Sequence, residues 1–300
     1  MHPQAPSISE IFGPDDSQAA QRDLAKHLAD QMLMHHWHED RLPWGILPLF
    51  PIRLDAGRAR SRRLAEFYKS VVAVQTRAEE IAVSIARRLL LYADAQKLDV
   101  SFRRALAALL NDEASHVATM VKLEALADET YPDISSRDDE SPLFITLMPE
   151  IETLEPSVLA IIMAFYEASV AIRSYAEEQT YKVPSVLGAM APRAAEDDGR
   201  HAKTLRIIAQ EFLRIFRSHY GDDEDGTSPP WREKVLEPIG RLWALMPAHE
   251  FYLSGGDPRQ LHNVRKALAH DRVIFRRILE YLGFSAGAQA YLKLDAGLSG

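Results

Sequence analysis

The chain has 300 residues, 47% of them apolar and 26% charged, and a net charge of −8; this is ordinary globular composition, long enough for a well-buried core in one or two domains. The acidic balance and the lack of a basic patch exclude a nucleic-acid binder, and uninterrupted apolar runs fall short of the roughly 18 residues of a membrane span. Cysteine is absent, which excludes disulfides, thiolate metal sites and thiol nucleophiles, so any metal must be held by carboxylates and by some of the eleven histidines.

Three-and-four spacing of apolar residues runs through the sequence, and alternating strand patterns are scarce; the fold class is therefore all-α. The polar, proline-containing N-terminus lacks a signal-peptide core, so a cytoplasmic location is expected. A first helix is expected over 17–40, ending in His35, His36 and His38, which read as a polar helix end or an interface patch. The Pro-rich stretch RLPWGILPLFPIRLDAG follows and opposes regular helix.

A long helix is predicted over 59–97, with the stripe Leu64, Phe67, Val71, Val74, Ala78, Ile81, Ile85 and Leu89. The next starts at a cap, Asp99 or Ser101, and reaches about 127 through Leu106, Leu109, Leu110, Val117, Met120 and Leu123. An acidic loop is expected over 128–152. Pro156 suits the first turn of a third long helix, 156–180, which is apolar on most sides and so expected to be buried. A fourth long helix begins between Val186 and Pro192 and ends near His219, before the break GDDEDGTSPP. Two more are expected over 231–246 and 258–282. The expected organisation is an N-terminal helix and connection (1–58), a metal-binding bundle of four long helices (59–220) and C-terminal helices of the same domain (221–300).

The second long helix carries Glu113 and His116, three residues apart and hence on one helix face, where either can reach the same ion. They lie within the apolar stripe, and burying them costs several kcal/mol unless something pairs with them. The fourth long helix repeats the arrangement with Asp198 and His201, followed by Leu205, Ile208, Phe212 and Ile215; Asp197 is a possible substitute for Asp198. On the third, Glu167 stands amid Met163, Ala164, Val170 and Ala171, with a pairing to Arg173 or Tyr175 as the plainer alternative. On the first, Glu79 lies closer than Glu80 to the stripe centred on Ala78. Carboxylate, carboxylate-x-x-His, carboxylate, carboxylate-x-x-His is the ligand order of ferritin-like di-iron and di-manganese bundles. The metal ligands expected are thus Glu79, Glu113, His116, Glu167, Asp198 and His201. His249-Glu250, His262 and His270-Asp271 stand apart, Asp271 or His270 being possible additions to the site, and Tyr166 and Tyr175 read as core residues.

At these residues the chain resembles the ferritin-like non-haem di-iron oxygenases, and most of all the AurF-type arylamine N-oxygenases, over roughly residues 60–220. The resemblance implies a ferritin-like four-helix bundle with additional terminal helices, and a cytosolic homodimer. It implies two Fe ions (or Mn/Fe), O2 as co-substrate, a small-molecule substrate and N-oxygenation of an amine. The family's last ligand helix reads His-x-x-x-Glu-x-x-His; here Asp198 replaces the Glu, and Ala194 stands where the extra His would fall, so a six-ligand site is expected. No flavin or nicotinamide fingerprint occurs, so electrons must come from an external donor. Two other functions fit the same residues: an oxidase, hydroxylase or desaturase for an acyl or other apolar substrate, and a helical binding protein that uses metal for stability alone.

Overall fold

The computed structural model describes residues 42–51, 59–136, 140–180, 183–223, 225, 227–254 and 261–294. The helix expected over 17–40, with His35, His36 and His38, lies outside them. Among the described residues there is no strand, and the fold is all-α as the periodicity requires.

Four long helices dominate: α1 (Ala59–Ala95), α2 (Val100–Thr130), α4 (Pro156–Thr180) and α5 (Val186–Tyr220), with a short α3 (Pro142–Glu150) between the pairs. α1 lies along α2 and α4 along α5, and the pairs meet where α1 touches α4 and α2 touches α5. The turn after α1 is tight: Lys97 takes a left-handed φ of 53°, the conformation that closes many helix C-termini. Asp99, rather than Ser101, caps α2, accepting the Ser101 backbone N–H at 2.9 Å. At the start of α5 the Ser185 side chain accepts from Gly188, and the N–H groups of Val186 and Leu187 donate to the carbonyls of Pro48 and Leu49. The Pro-rich connection thereby satisfies backbone donors that a helix start leaves open. Leu89, Leu106, Leu109, Leu159, Ile161, Phe212 and Phe216 are fully buried between the long helices. A second cluster joins Phe50, Val72, Met120, Leu123, Val186 and Leu187.

Two expectations need correction. The loop expected over 128–152 contains α3, capped by Ser141 with Pro142 in its first turn, and it buries Leu143, Phe144 and Leu147. Nine residues between acidic flanks are too few for periodicity to stand out, and the helix exists because the core accepts its apolar face. The helix expected over 231–246 is instead a series of short segments: a turn (Pro229–Trp231), a π-helical turn (Arg232–Leu236), α6 (Glu237–Ala244) and α7 (Met246–Leu253). Pro238 and Pro247 each sit in the first turn of a new segment, where a missing N–H costs nothing. α8 (Leu261–Tyr281) packs on α7 and α4, and α9 (Ala286–Tyr291) was not anticipated.

One window, Pro156–Arg173 in α4, is long and apolar enough by composition to cross a membrane, but it is mostly buried against the other helices.

A buried polar network ties α4 to α7 and α8. Arg173 donates to Glu250 at 2.7 Å and to Asp271 at 2.6 Å, and Ser169 donates to the other Asp271 oxygen at 2.6 Å. Asp271 and Glu250 thus answer Arg173, and neither Asp271 nor Arg173 belongs to the carboxylate–histidine cluster described next.

Candidate metal centre

Glu113 and His116 on α2, and His201 on α5, are buried with almost no exposure. Glu79 on α1 and Glu167 on α4 reach the same interior point. His116 Nδ1 lies 3.5 Å from an oxygen of Glu79 and 3.5 Å from Glu113 Oε2. His201 Nδ1 lies 2.9 Å from Glu113 Oε1 and 3.6 Å from Glu167. The four helices therefore assemble two groups suited to a metal ion, Glu79–Glu113–His116 and Glu113–Glu167–His201, with Glu113 in both. The two imidazole rings are 5.7 Å apart.

The structure decides between neighbours that the sequence left close. Glu79 enters the cluster, whereas Glu80 turns to Arg77 at 2.8 Å. Glu167 faces His201, while Arg173 is engaged by Glu250 and Asp271; Tyr175 lies outside the described side chains. Asp198 is buried beside the cluster but belongs to neither group of three. Burial, then the charges of Glu167 and Glu79, push its carboxyl well above the usual range, so it shares their space.

Two aspartates are functional candidates that the sequence reading passed over or gave another role. Asp112 lies 3.4 Å from His201 Nε2, and Asp197 lies 3.7 Å from His116 Nε2. Each immediately precedes the carboxylate of one motif and faces the histidine of the other. Asp197 is thus a partner of His116 and is in turn held by Arg200. The charge of Asp112 also acts on Arg200. The signal was present in the sequence: an acidic doublet, Asp112-Glu113 and Asp197-Asp198, stands at the same offset from both histidines.

The electrostatics show a cluster that demands positive charge. Burial opposes the Glu113 carboxylate, but His201 and His116 outweigh it and hold its carboxyl well below the usual range. Desolvation raises Glu79 to about 8, and desolvation with the charge of Glu113 raises Glu167 to about 7. Burial works against a charged His116, yet Glu113 and Glu79 lift it to about 10, and His201 is likewise lifted by Glu113 and Asp112. Both oxygens of Glu113 and Nδ1 of His201 are buried without a hydrogen bond of proper geometry, although they lie close together. Orphaned buried donors and acceptors are costly. Carboxylate oxygens and imidazole nitrogens are hard-to-borderline donors that suit divalent iron or manganese, and such an ion would satisfy these atoms and replace the imidazole protons. The residues present fit a metal. No protein-family model, curated protein or solved structure matches this chain.

Proposed function

We propose that the chain is a ferritin-like four-helix bundle that holds two metal ions and acts as a non-haem di-iron oxygenase on a small molecule. The observation that carries this reading is Glu113, buried, with one oxygen toward His116 and the other toward His201. One carboxylate shared by two groups, each with its own histidine and further acid, is the arrangement a carboxylate-bridged metal pair requires. Asp198, close to Glu79 and Glu167, is the residue that would close a second bridge. When bound, the metal pair would supply O2 activation and redox chemistry.

The chain's own residues have separate tasks. Glu79, Glu113, Glu167 and Asp198 offer four negative charges, enough to neutralise two divalent ions. Asp112, within hydrogen-bond reach of His201 Nε2 at 3.4 Å, and Asp197, whose carboxylate faces His116 Nε2 at 3.7 Å, would favour the tautomers that leave each Nδ1 free to ligate and would orient the rings. Leu109, Met163 and Leu205 lie one turn from Glu113, Glu167 and His201 on the same helix faces and are buried; they keep bulk water from the site. Oxygenation of an amine nitrogen is the favoured reaction, on the resemblance to the N-oxygenases, with electrons delivered by an external donor.

Protein loaded with Fe(II) without oxygen is expected to retain about two irons per chain and to give a transient charge-transfer absorption on mixing with O2. Fewer than about one iron per chain rejects the metal site, whereas full loading with no optical response to O2 leaves a structural metal centre. Asp112→Asn and Asp197→Asn should each weaken iron binding by roughly 10–100-fold while every ligand remains in place. Competition with a chelator measures this, and unchanged affinity in both variants would remove the aspartates from the scheme.

A further inference from the structure

A cavity of about 350 Å3 is walled by α1, α2, the N-terminal end of α3 and Tyr252 of α7, a size typical of small-ligand sites. Thr76 and Glu80 line it; Thr76 lies one turn before Glu79 on the same face of α1. Glu79 is also the most open cluster residue, with 21% of its side chain exposed against 7% or less for Glu113, His116, Glu167 and His201. On the other side Phe144 lines the cavity and packs edge-on against Tyr166 at 6.3 Å. Tyr166 precedes Glu167 and is close enough to Glu79 and Glu167 to feel both charges. Phe144 and Tyr166 thus connect the cavity to the cluster.

The lining has a definite character. Three carboxylates, Glu80, Glu124 and Glu140, face one guanidinium, Arg77. Arg77 is already met by Glu80 at 2.8 Å and Glu140 at 3.6 Å, while Glu124 forms no ion pair among the described residues. Ser141 is held by His249, whose Nδ1 is 2.6 Å from its hydroxyl. Burial, with Arg173 nearby, pushes His249 down to about 3, so this wall adds no positive charge at neutral pH. Ala73, Val74 and Phe144 supply apolar surface. A cleft with acidic polar groups and an aromatic wall concentrates and binds cations.

We infer that this cavity binds a small organic cation, an ammonium or amidinium group on an apolar body, with the charge at Glu124 and Glu140 and the body against Phe144 and Val74. This binding does not depend on the di-metal reading above. The test uses three probes of nearly equal shape, benzylammonium, benzyl alcohol and benzoate, titrated calorimetrically at neutral pH into metal-free and metal-loaded protein. Benzylammonium should bind at least about tenfold more tightly than the other two. In the Glu124→Gln/Glu140→Gln double variant that preference should shrink to about threefold or less, and Phe144→Ala should weaken benzylammonium and benzyl alcohol alike. Benzoate or benzyl alcohol binding as well as benzylammonium overturns the inference. So does a preference unchanged in the double variant, or no benzylammonium binding by folded protein. Metal content of the same samples is measured separately. Full metal loading without an ammonium preference rejects only the cavity assignment, and an ammonium preference in a chain that takes up no metal rejects only the di-metal reading.

Discussion

Replacing Glu113 with glutamine is expected to abolish uptake of both metal ions, while Glu79→Gln or Glu167→Gln should each leave about one ion bound. The asymmetry follows from position. Glu79 belongs to the group around His116 and Glu167 to the group around His201, but Glu113 belongs to both. A glutamine there keeps the volume, so α2 can pack as before against α1. It removes the negative charge and leaves an amide that cannot bridge two cations. Losing a group that only orients a ligand costs about 10–100-fold in metal affinity, and losing a shared charged ligand should exceed 100-fold at each site. The metal-to-chain ratio after gel filtration, with helicity checked by circular dichroism, reads the result. About two metals per chain in the Glu113→Gln protein would show that the two groups do not act as one centre. Glu80→Gln is the matched control: Glu80 is adjacent in sequence but turned to Arg77, and its removal should leave metal content unchanged.

The contrast between Glu79 and Glu80 shows what the sequence could carry. The i, i+3 pairs were legible because a helix makes three-residue spacing a spatial fact without any knowledge of the rest of the fold. Glu79 was separable from Glu80 only by its angle from the stripe around Ala78, and the structure agrees with that angle. Asp112 and Asp197 were harder, since a residue next to a ligand projects about 100° away on its own helix. Their role appears only when α2 and α5 are brought together, each aspartate meeting the other helix's histidine. Asp198 is the reverse case: its motif was plain, but its side chain is one methylene shorter than that of glutamate, and it stays outside both groups of three. The network of Arg173, Glu250 and Asp271 was not legible at all, because its partners lie 77 and 98 residues along the chain and carry no local pattern. The long helices were legible for the same reason as the pairs, whereas α3 depends on the core that receives it.

Arg173→Met is expected to destabilise the fold by about 3–5 kcal/mol at neutral pH, roughly 5–8 °C in Tm for a chain of this length. Methionine can fill much of the arginine stem, so packing is largely kept and the loss is that of charge. Asp271 is fully buried and Glu250 nearly so, while Arg173 retains 30% side-chain exposure. Without the guanidinium two buried carboxylates face each other with only the Ser169 hydroxyl as help. Burial already outweighs Arg173 at Glu250 and pushes its carboxyl up to about 6; in the variant, with the guanidinium gone, Glu250 should hold its proton to higher pH. A raised folded-state pKa means that the folded form binds more protons than the unfolded chain. Stability from Glu250 is then fully present below its unfolded value and is lost as pH rises through the folded one. The deficit of Arg173→Met should therefore be largest near pH 8 and shrink toward pH 5. Asp271→Asn in the same background should recover part of the loss at pH 8, because it removes one of the stranded charges. Denaturant unfolding of the three proteins at both pH values decides the matter. A deficit that is independent of pH would mean that packing, rather than the stranded carboxylates, accounts for the loss. No deficit at pH 8 would mean that water reaches Glu250 and Asp271, so that α4, which carries Glu167, is held against α7 and α8 by its apolar contacts alone.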